Sequence, residues 1–437
     1  MRETIVTKSP RRGRKILAFA AVILVLVALV SGAVAFLARQ DLVASTADMS
    51  GAPLRLATTD GDRVFILTSQ WKTYQRRYGG SGRGSSGYSV THTDLLVDLW
   101  AFDARNARPL WRRRVLQERK GVNSGRTLLG AQGGVIWVLD GRRLAGFSPT
   151  DGALVADAAA IEAANPALRG LLPSEAQYYH FDTAGLSFWA ADGRAWRLAG
   201  PGLKFVAAPE KPQPAPDIGI PARISGGVGT YAFYERGLDI GRRWLGLLDQ
   251  AEARTFLTNR AIGGIDPSGH PRVRLWSAEI VQRQTFFGPR AEYANFAPLP
   301  ESPEFLHAGL LSDNRTDQPI LLRQPDSVLV LHRDRLGKGG HLRLTRIAGP
   351  AGRVVWTADL PIEALEAVLP GEESIVLYGR RDERRNLRRA DDPNTVSVGQ
   401  LVAVDLASGR VGAYGFRVKP TKAGDIPPSS TRLDDAR

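Results

Sequence analysis

The side chains best suited to chemistry in this sequence are its six histidines, because the chain contains no cysteine. Histidine serves as a metal ligand and as a general acid or base. Zinc sites usually draw on closely spaced ligands, such as two histidines a few residues apart on one strand or helix. None of the six forms such a pair: His92, His180, His270, His307, His332 and His341. The sequence therefore predicts no metal site.

Catalytic motifs are missing from the sequence as well. There is no G-x-S-x-G stretch, no phosphate-binding glycine loop and no H-E-x-x-H stretch. Without cysteine, neither a disulfide nor a thiolate metal site can form. We therefore predict no catalytic residue and no cofactor.

Basic residues concentrate in three stretches that interrupt apolar runs: Lys72–Thr93, His332–Gly340 and Arg380–Gly399. The first of them contains no acidic residue. We interpret these stretches as loops that open on one side of the fold and form a basic rim for an anionic partner. The alternative is that these stretches are long loops that contact only solvent and bind no partner. The predicted rim residues are Lys72, Arg76, Arg77, Tyr78, Arg83, Arg333, Arg335, Lys338, Arg380, Arg381, Arg384 and Arg385.

The elements that would position this rim are recurring β-hairpins. Apolar runs pair around tight turns, as in "GVIWVLDGRRLAGF" and "LSFWAADGRAWRL", where Asp-Gly is a strong hairpin signal. A second pattern follows the hairpins. In it, a strand that ends in Asp103 is followed by the turn residues Asn106-Ala107 and then by Trp111. The second copy has Ala348, Ala351-Gly352 and Trp356 in the same three places. We expect Trp111 and Trp356 to pack between neighbouring sheets.

Short strands that recur about every 50 residues indicate a β-propeller, in which four-stranded blades cover one another's faces. The pattern of Asp, a Ser/Asn-Gly turn and Trp resembles the blade repeat of pyrroloquinoline-quinone-type propeller proteins. The resemblance covers residues 60–156 and 327–414, with a partial unit at 186–198, and implies an all-β propeller. Residues 52–416 leave room for seven or eight blades. Ala107 stands where that repeat has Gly, and residues 200–325 follow it poorly.

The N-terminus has a different character. Ile16–Leu37 carries no charge, and a helix needs about 20 apolar residues to cross a bilayer. Six Lys and Arg residues precede it, which predicts that residues 1–15 are cytoplasmic and that the remainder lies outside the cytoplasm. The alternative is a signal peptide cleaved after Ala33-Val34-Ala35. The expected divisions are 1–15 cytoplasmic, 16–37 transmembrane, 38–51 linker, 52–416 propeller and 417–437 disordered tail.

These features lead us to expect a single-pass protein of the bacterial cytoplasmic membrane with a periplasmic domain. Its expected role is a non-catalytic binding or scaffolding module, whose partner is an envelope protein or another anionic envelope component. Nucleic acid is excluded as a partner by this location. The alternatives are a quinone-dependent or hydrolytic enzyme that uses the propeller's central funnel, and a sensor that needs a membrane partner.

Overall fold

The computed structural model describes residues 46–417, apart from 79–87, 120–125, 141–142, 183, 209–233, 236, 263–270, 287, 314–317, 324–325, 338–339 and 385–394. The predicted transmembrane segment at residues 16–37 and residues 418–437 of the predicted tail lie outside the described residues. Within the described part of the chain, no helix is long and apolar enough to cross a membrane.

The fold is mostly β, which confirms the all-β prediction. The described residues form twenty-eight strands and two α-helices, and the strands pair into five antiparallel sheets. We number the sheets 1 to 5 along the chain.

Sheet 1 is built on a long hairpin. Its strands are β1 (Asp48–Met49), β2 (Leu54–Thr58), β3 (Gly61–Tyr78), β4 (Tyr88–Asp103) and β5 (Pro109–Arg119). Two expectations are corrected here. The predicted linker, residues 38–51, contains β1, because Asp48 and Met49 pair with Ser69 and Thr68 of β3. The predicted loop at 72–93 is partly strand, because β3 and β4 remain paired from Lys72↔Asp94 to Tyr78↔Tyr88.

Sheets 2 and 3 have four strands each. Sheet 2 comprises β6 (Arg126–Gln132), β7 (Val135–Asp140), β8 (Leu144–Phe147) and β9 (Leu154–Ala156). Sheet 3 comprises β10 (Tyr179–Asp182), β11 (Gly185–Trp189), β12 (Ala195–Leu198) and β13 (Phe205–Ala207). Helix α1 (Ala158–Ala164) and the 3₁₀ turns Pro166–Leu168 and Ala176–Tyr178 connect them. The Asp157 carboxylate caps α1 by accepting a bond from the Ala160 N–H at 2.7 Å.

Sheet 4 has eleven strands and is irregular, as the weak repeat over 200–325 suggests. Helix α2 (Gln250–Ile262) follows the strand Arg243–Leu248, within the region that fits the repeat poorly. The strands are β14 (Tyr234–Glu235), β15 (Gly237–Ile240), β16 (Arg243–Leu248), β17 (Arg272–Thr285), β18 (Gly288–Pro298), β19 (Glu304–Asp313), β20 (Gln318–Pro319), β21 (Leu321–Arg323), β22 (Asp326–Arg333), β23 (Leu342–Ala348) and β24 (Arg353–Asp359).

Sheet 5 completes the fold with β25 (Ala364–Leu369), β26 (Ser374–Arg384), β27 (Thr395–Asp405) and β28 (Val411–Gly415). Here too the predicted loop at 380–399 is partly strand, because β26 and β27 stay paired out to Arg384↔Thr395.

Four of the six buried clusters lie between sheets, and the other two lie within sheet 4, one of them beneath helix α2. One buried cluster joins sheets 1 and 2 through side chains such as Phe65 and Ile136, and a second joins sheets 2 and 3 through Trp137 and Phe188. A third joins sheets 4 and 5 through Leu344 and Val402. Each sheet thus buries apolar side chains against a neighbour in chain order, which a single sheet with two solvated faces could not do.

A fourth cluster joins the last sheet to the first. Phe102 of β4 packs in one buried group with Tyr378 of β26 and Leu401 of β27, and its ring centroid is 5.1 Å from that of Tyr414 in β28. Sheet 1 therefore contacts sheet 2 and also sheet 5, so the two ends of the described chain meet.

Trp111 and Trp356 each lie against a glycine turn of the following sheet. Trp111 at the outer strand of sheet 1 covers Gly152 in the β8–β9 turn, where a Cβ would lie 2.7 Å from its ring. Trp356 at the outer strand of sheet 4 covers Gly409 in the β27–β28 turn in the same way, also at 2.7 Å. The Trp356 indole N–H donates to the Leu406 carbonyl at 3.0 Å.

Candidate binding rim

The predicted rim is assembled where three hairpins turn. We use "rim end" for the end of the sheets at which β3 turns to β4, β22 turns to β23 and β26 turns to β27. The Arg333 guanidinium, at the end of β22, donates to the Glu363 carbonyl at 3.2 Å. The Glu363 N–H donates in turn to the Arg380 carbonyl in β26 at 2.8 Å. The structure therefore brings Arg333 and Arg380 close together, although 47 residues of sequence separate them.

Arg380 connects the rim end to the first strand of the fold. Its guanidinium pairs with Asp48 of β1 at 3.3 Å and with Glu366 of β25 at closer range. Because β1 pairs with β3, this triad joins sheet 5 to sheet 1. The charge of Arg380 is thus compensated within the fold, and its main part is to hold β1, β25 and β26 together.

The surroundings of the triad are partly closed to water, and this changes how the groups titrate. Burial raises the pKa of the Asp48 carboxyl, and the nearby Arg380 charge opposes that rise. Burial lowers the pKa of Arg380, but the charge of Glu366 and its hydrogen bond outweigh this, so the Arg380 pKa is raised overall. The Tyr378 phenol lies beside them, and burial raises its pKa as well.

The other described rim residues are open to solvent or partly so. Lys72 is exposed and lies opposite Asp94 across the β3–β4 pair. Arg335 is exposed in the turn after β22, and Arg381 is half-buried in β26. Arg333 is half-buried and donates to the carbonyls of Gly340, at 3.2 Å, and Glu363.

The remaining predicted residues divide into two groups. Four lie in strands that run toward the rim end: Arg76, Arg77 and Tyr78 in β3 and Arg384 in β26. Three lie outside the described residues: Arg83, Lys338 and Arg385.

A buried carboxylate supports the hairpin that leads to this end of sheet 1. Asp98 of β4 has a side chain only 5% exposed, and it accepts bonds from Arg112 at 2.6 Å and Arg114 at 2.5 Å. The Arg112 guanidinium also lies 4.7 Å above the centre of the Trp100 ring. Two cations and one carboxylate thus fix the β4–β5 pair on this face.

Sequence reasoning missed Asp48 and Glu366, the two partners of Arg380. Asp48 falls in the predicted linker, and 318 residues separate it from Glu366. Alternation in "ALEAVL" could have marked Glu366 as a polar residue within an apolar strand, but no local signal links it to Asp48.

The histidines whose side chains the structure describes are buried or half-buried. His332 is buried, and its Nε2 lies 2.8 Å from the Thr345 hydroxyl, which is 2.9 Å from the Thr357 hydroxyl. Burial lowers the pKa of His332. Among the described residues, no group of three or more His, Asp and Glu side chains is placed to hold a metal ion.

Comparison with known proteins adds no relative to this description. No protein-family model matches the chain, and no curated protein matches it significantly.

Proposed function

We propose that this chain is a membrane-anchored β-propeller outside the cytoplasm that works as a non-catalytic binding or scaffolding module. In this proposal the sheets are blades around a common axis, the N-terminal apolar segment is the anchor, and the rim end receives an anionic envelope component. The observation that carries it is the packing of the last sheet against the first.

Polar contacts between the two ends support a ring. The Arg55 guanidinium, in β2, donates to the carbonyls of Leu369, at 2.9 Å, and Ser374, at 2.8 Å, in sheet 5. It is held in place by Asp62 at 2.5 Å. Together with the clusters between sheets 1 and 2, sheets 2 and 3, and sheets 4 and 5, this seam links the five sheets in one series, 4-5-1-2-3. A ring, which covers every face, further requires sheets 3 and 4 to face each other.

The repeated arrangement of strands supports blades. Sheets 2, 3 and 5 have four strands in chain order, and sheet 1 has the same four with β1 added. The Trp-over-Gly contact recurs between sheets 1 and 2 and between sheets 4 and 5. Sheet 4 pairs more strands than one blade holds, so it represents at least two blades in this proposal.

The basic residues at the rim end support a binding role. Exposed Lys72 and Arg335 lie there with Arg381, while Arg380 and its carboxylates give the end a rigid base. Cations on a rigid support attract anionic partners through long-range electrostatics, and that attraction weakens in salt.

Photocrosslinking in intact cells tests this proposal. A photoreactive residue replaces Arg381 at the rim end, and a matched one replaces Arg353, which is exposed at the start of β24. We expect a defined adduct from position 381 that is lost at high salt, and no such adduct from position 353. Equal adducts from both positions, or a domain that external protease cannot reach in spheroplasts, would contradict the proposal.

A further inference from the structure

The chain enters the fold at the rim end. Strand β1 is antiparallel to β3, and β3 runs toward the rim end, so the residues before Asp48 approach from that end. Ala47 is already buried in the cluster shared by sheets 1 and 5, and Asp48 is fixed by Arg380. The polypeptide that arrives from the N-terminus is therefore held beside the basic residues.

The segment before this entry point is short. Residues 38–45 separate the apolar segment Ile16–Leu37 from the first described residue, Thr46. Eight residues reach at most about 28 Å when fully extended. If Ile16–Leu37 spans the bilayer, the rim end cannot lie far from the lipid surface, whereas the opposite end is separated from it by the full height of the sheets.

We infer that the anionic partner of the rim end is the phospholipid surface of the membrane that anchors the chain, which Lys72, Arg335 and Arg381 contact at the headgroups. This inference rests on the proposed function and names its partner. The contact would orient the domain with its rim end toward the membrane and leave the opposite end free.

Electrostatic attraction is the interaction that would recognise such a surface. Anionic headgroups attract Lys and Arg side chains that lie within about one Debye length, roughly 8 Å at physiological salt. Lys72 and Arg335 are exposed and Arg381 is partly so. A short tether raises the effective concentration of the surface around them, so a few weak contacts suffice to orient the domain.

The absence of cysteine provides a direct test, because a single introduced cysteine can be labelled uniquely. Leu336, 50% exposed beside Arg335, is replaced by cysteine to report on the rim end. Ala407, exposed in the β27–β28 turn, reports on the opposite end, because Asp405 pairs with Ser374 at the start of β26 and Arg380 lies near its far end. The full chain is placed in nanodiscs, and an environment-sensitive fluorophore is attached.

In discs containing phosphatidylglycerol we expect the fluorophore at position 336 to shift to the blue and to be quenched by lipid-borne quenchers. We expect neither effect at position 407, and a smaller effect at 336 in discs of phosphatidylcholine alone. The triple variant K72S/R335S/R381S should lose most of the shift. The matched triple R108S/R353S/R410S, which removes the same charge from exposed turns and a strand start elsewhere, should keep it.

Two results would overturn the inference: a fluorophore at 336 that remains in water in anionic discs, or equal loss of the shift in both triple variants. Failure of the anchor is seen separately, because a chain without a spanning segment would not co-purify with the discs. A chain that co-purifies with discs while its rim end stays in water would leave the anchor supported and the lipid contact refuted.

Discussion

The Ser374 hydroxyl donates a hydrogen bond of 2.8 Å to the carbonyl of Ala104, a residue 270 positions earlier in the chain. Ser374 begins β26 in the last sheet, and Ala104 follows β4 in the first. Both residues are buried. Buried polar atoms at a seam between two sheets need partners from the opposite side, so this bond and those of Arg55 depend on the two ends staying together.

Replacing Ser374 with Ala should lower the free energy of unfolding by about 1–3 kcal/mol, because it leaves the Ala104 carbonyl buried and removes a partner of Arg55. Urea denaturation measures the change. Ser174→Ala is the control, since Ser174 is exposed, and it should change stability by less than about 0.5 kcal/mol. Equal, small effects would mean that the contact between the ends contributes little.

A side chain at Gly409 should destabilise the fold, because the turn of Gly409 lies directly beneath Trp356. A Cβ there would be 2.7 Å from the indole ring, and the backbone has φ of +72°. Gly349 has nearly the same φ, +73°, with nothing within 4 Å of its Cβ position. Gly349→Ala should therefore cost about 1–2 kcal/mol from backbone strain alone. Gly409→Ala should cost about 1–3 kcal/mol more through overpacking.

Thermal and urea unfolding of the two variants measures that difference. Equal losses would show that Trp356 moves aside without cost, and that the contact between sheets 4 and 5 is not tightly packed.

Turns whose conformation depends on neighbouring residues alone could be predicted from the sequence. Asp192-Gly193 closes its hairpin with Gly193 at φ of +78°. Ala107 takes the place of Gly in its turn and adopts φ of +56°, donating to the Asp103 carbonyl at 2.9 Å as Gly409 does to Asp405 at 2.8 Å. The turn geometry is thus set by its hydrogen bonds, and Ala bears the strain.

The ends of the long hairpins could not be predicted in this way. Residues such as Arg76 and Arg77 lie where β3 pairs with β4, in a stretch of sequence that is polar at nearly every position. Strand prediction relies on alternation between core and solvent, and this stretch has no such alternation. The Asp48–Arg380–Glu366 triad could not be predicted from the sequence either, because its members meet only when sheets 1 and 5 pack together.

Asp98 should be far more sensitive to loss of charge than an exposed carboxylate in a similar pair. Its side chain is 5% exposed and pairs with two arginines, so Asp98→Asn should lower the free energy of unfolding by about 3 kcal/mol. Glu304 pairs with Arg272 at 3.5 Å with both side chains more than half exposed, so Glu304→Gln should cost at most about 1 kcal/mol. Chemical denaturation at low and high salt measures both, and only the Glu304 effect should disappear in salt.

The buried His332 should make the fold less stable in mild acid. Burial lowers its pKa in the folded state below the ordinary 6.5, although the Arg333 carbonyl and nearby carboxylates oppose the shift. At pH above 6.5 the imidazole is neutral in both states, and its contribution to stability is complete. As the pH falls below 6.5 the unfolded chain takes up the proton first, so stability falls until the pH passes the folded pKa.

His332→Gln removes this titration while keeping a group that can hydrogen-bond to Thr345. Between about pH 7.5 and pH 5, the free energy of unfolding of the variant should therefore fall less than that of the unmodified protein. Urea unfolding at a series of pH values measures both profiles. Gly409→Ala is the matched control, because it is destabilised at every pH but retains His332 and should keep the original pH dependence. If the His332→Gln profile instead runs parallel to that of the unmodified chain, the acid sensitivity comes from other groups, of which His180 is the first candidate, because burial lowers its pKa too.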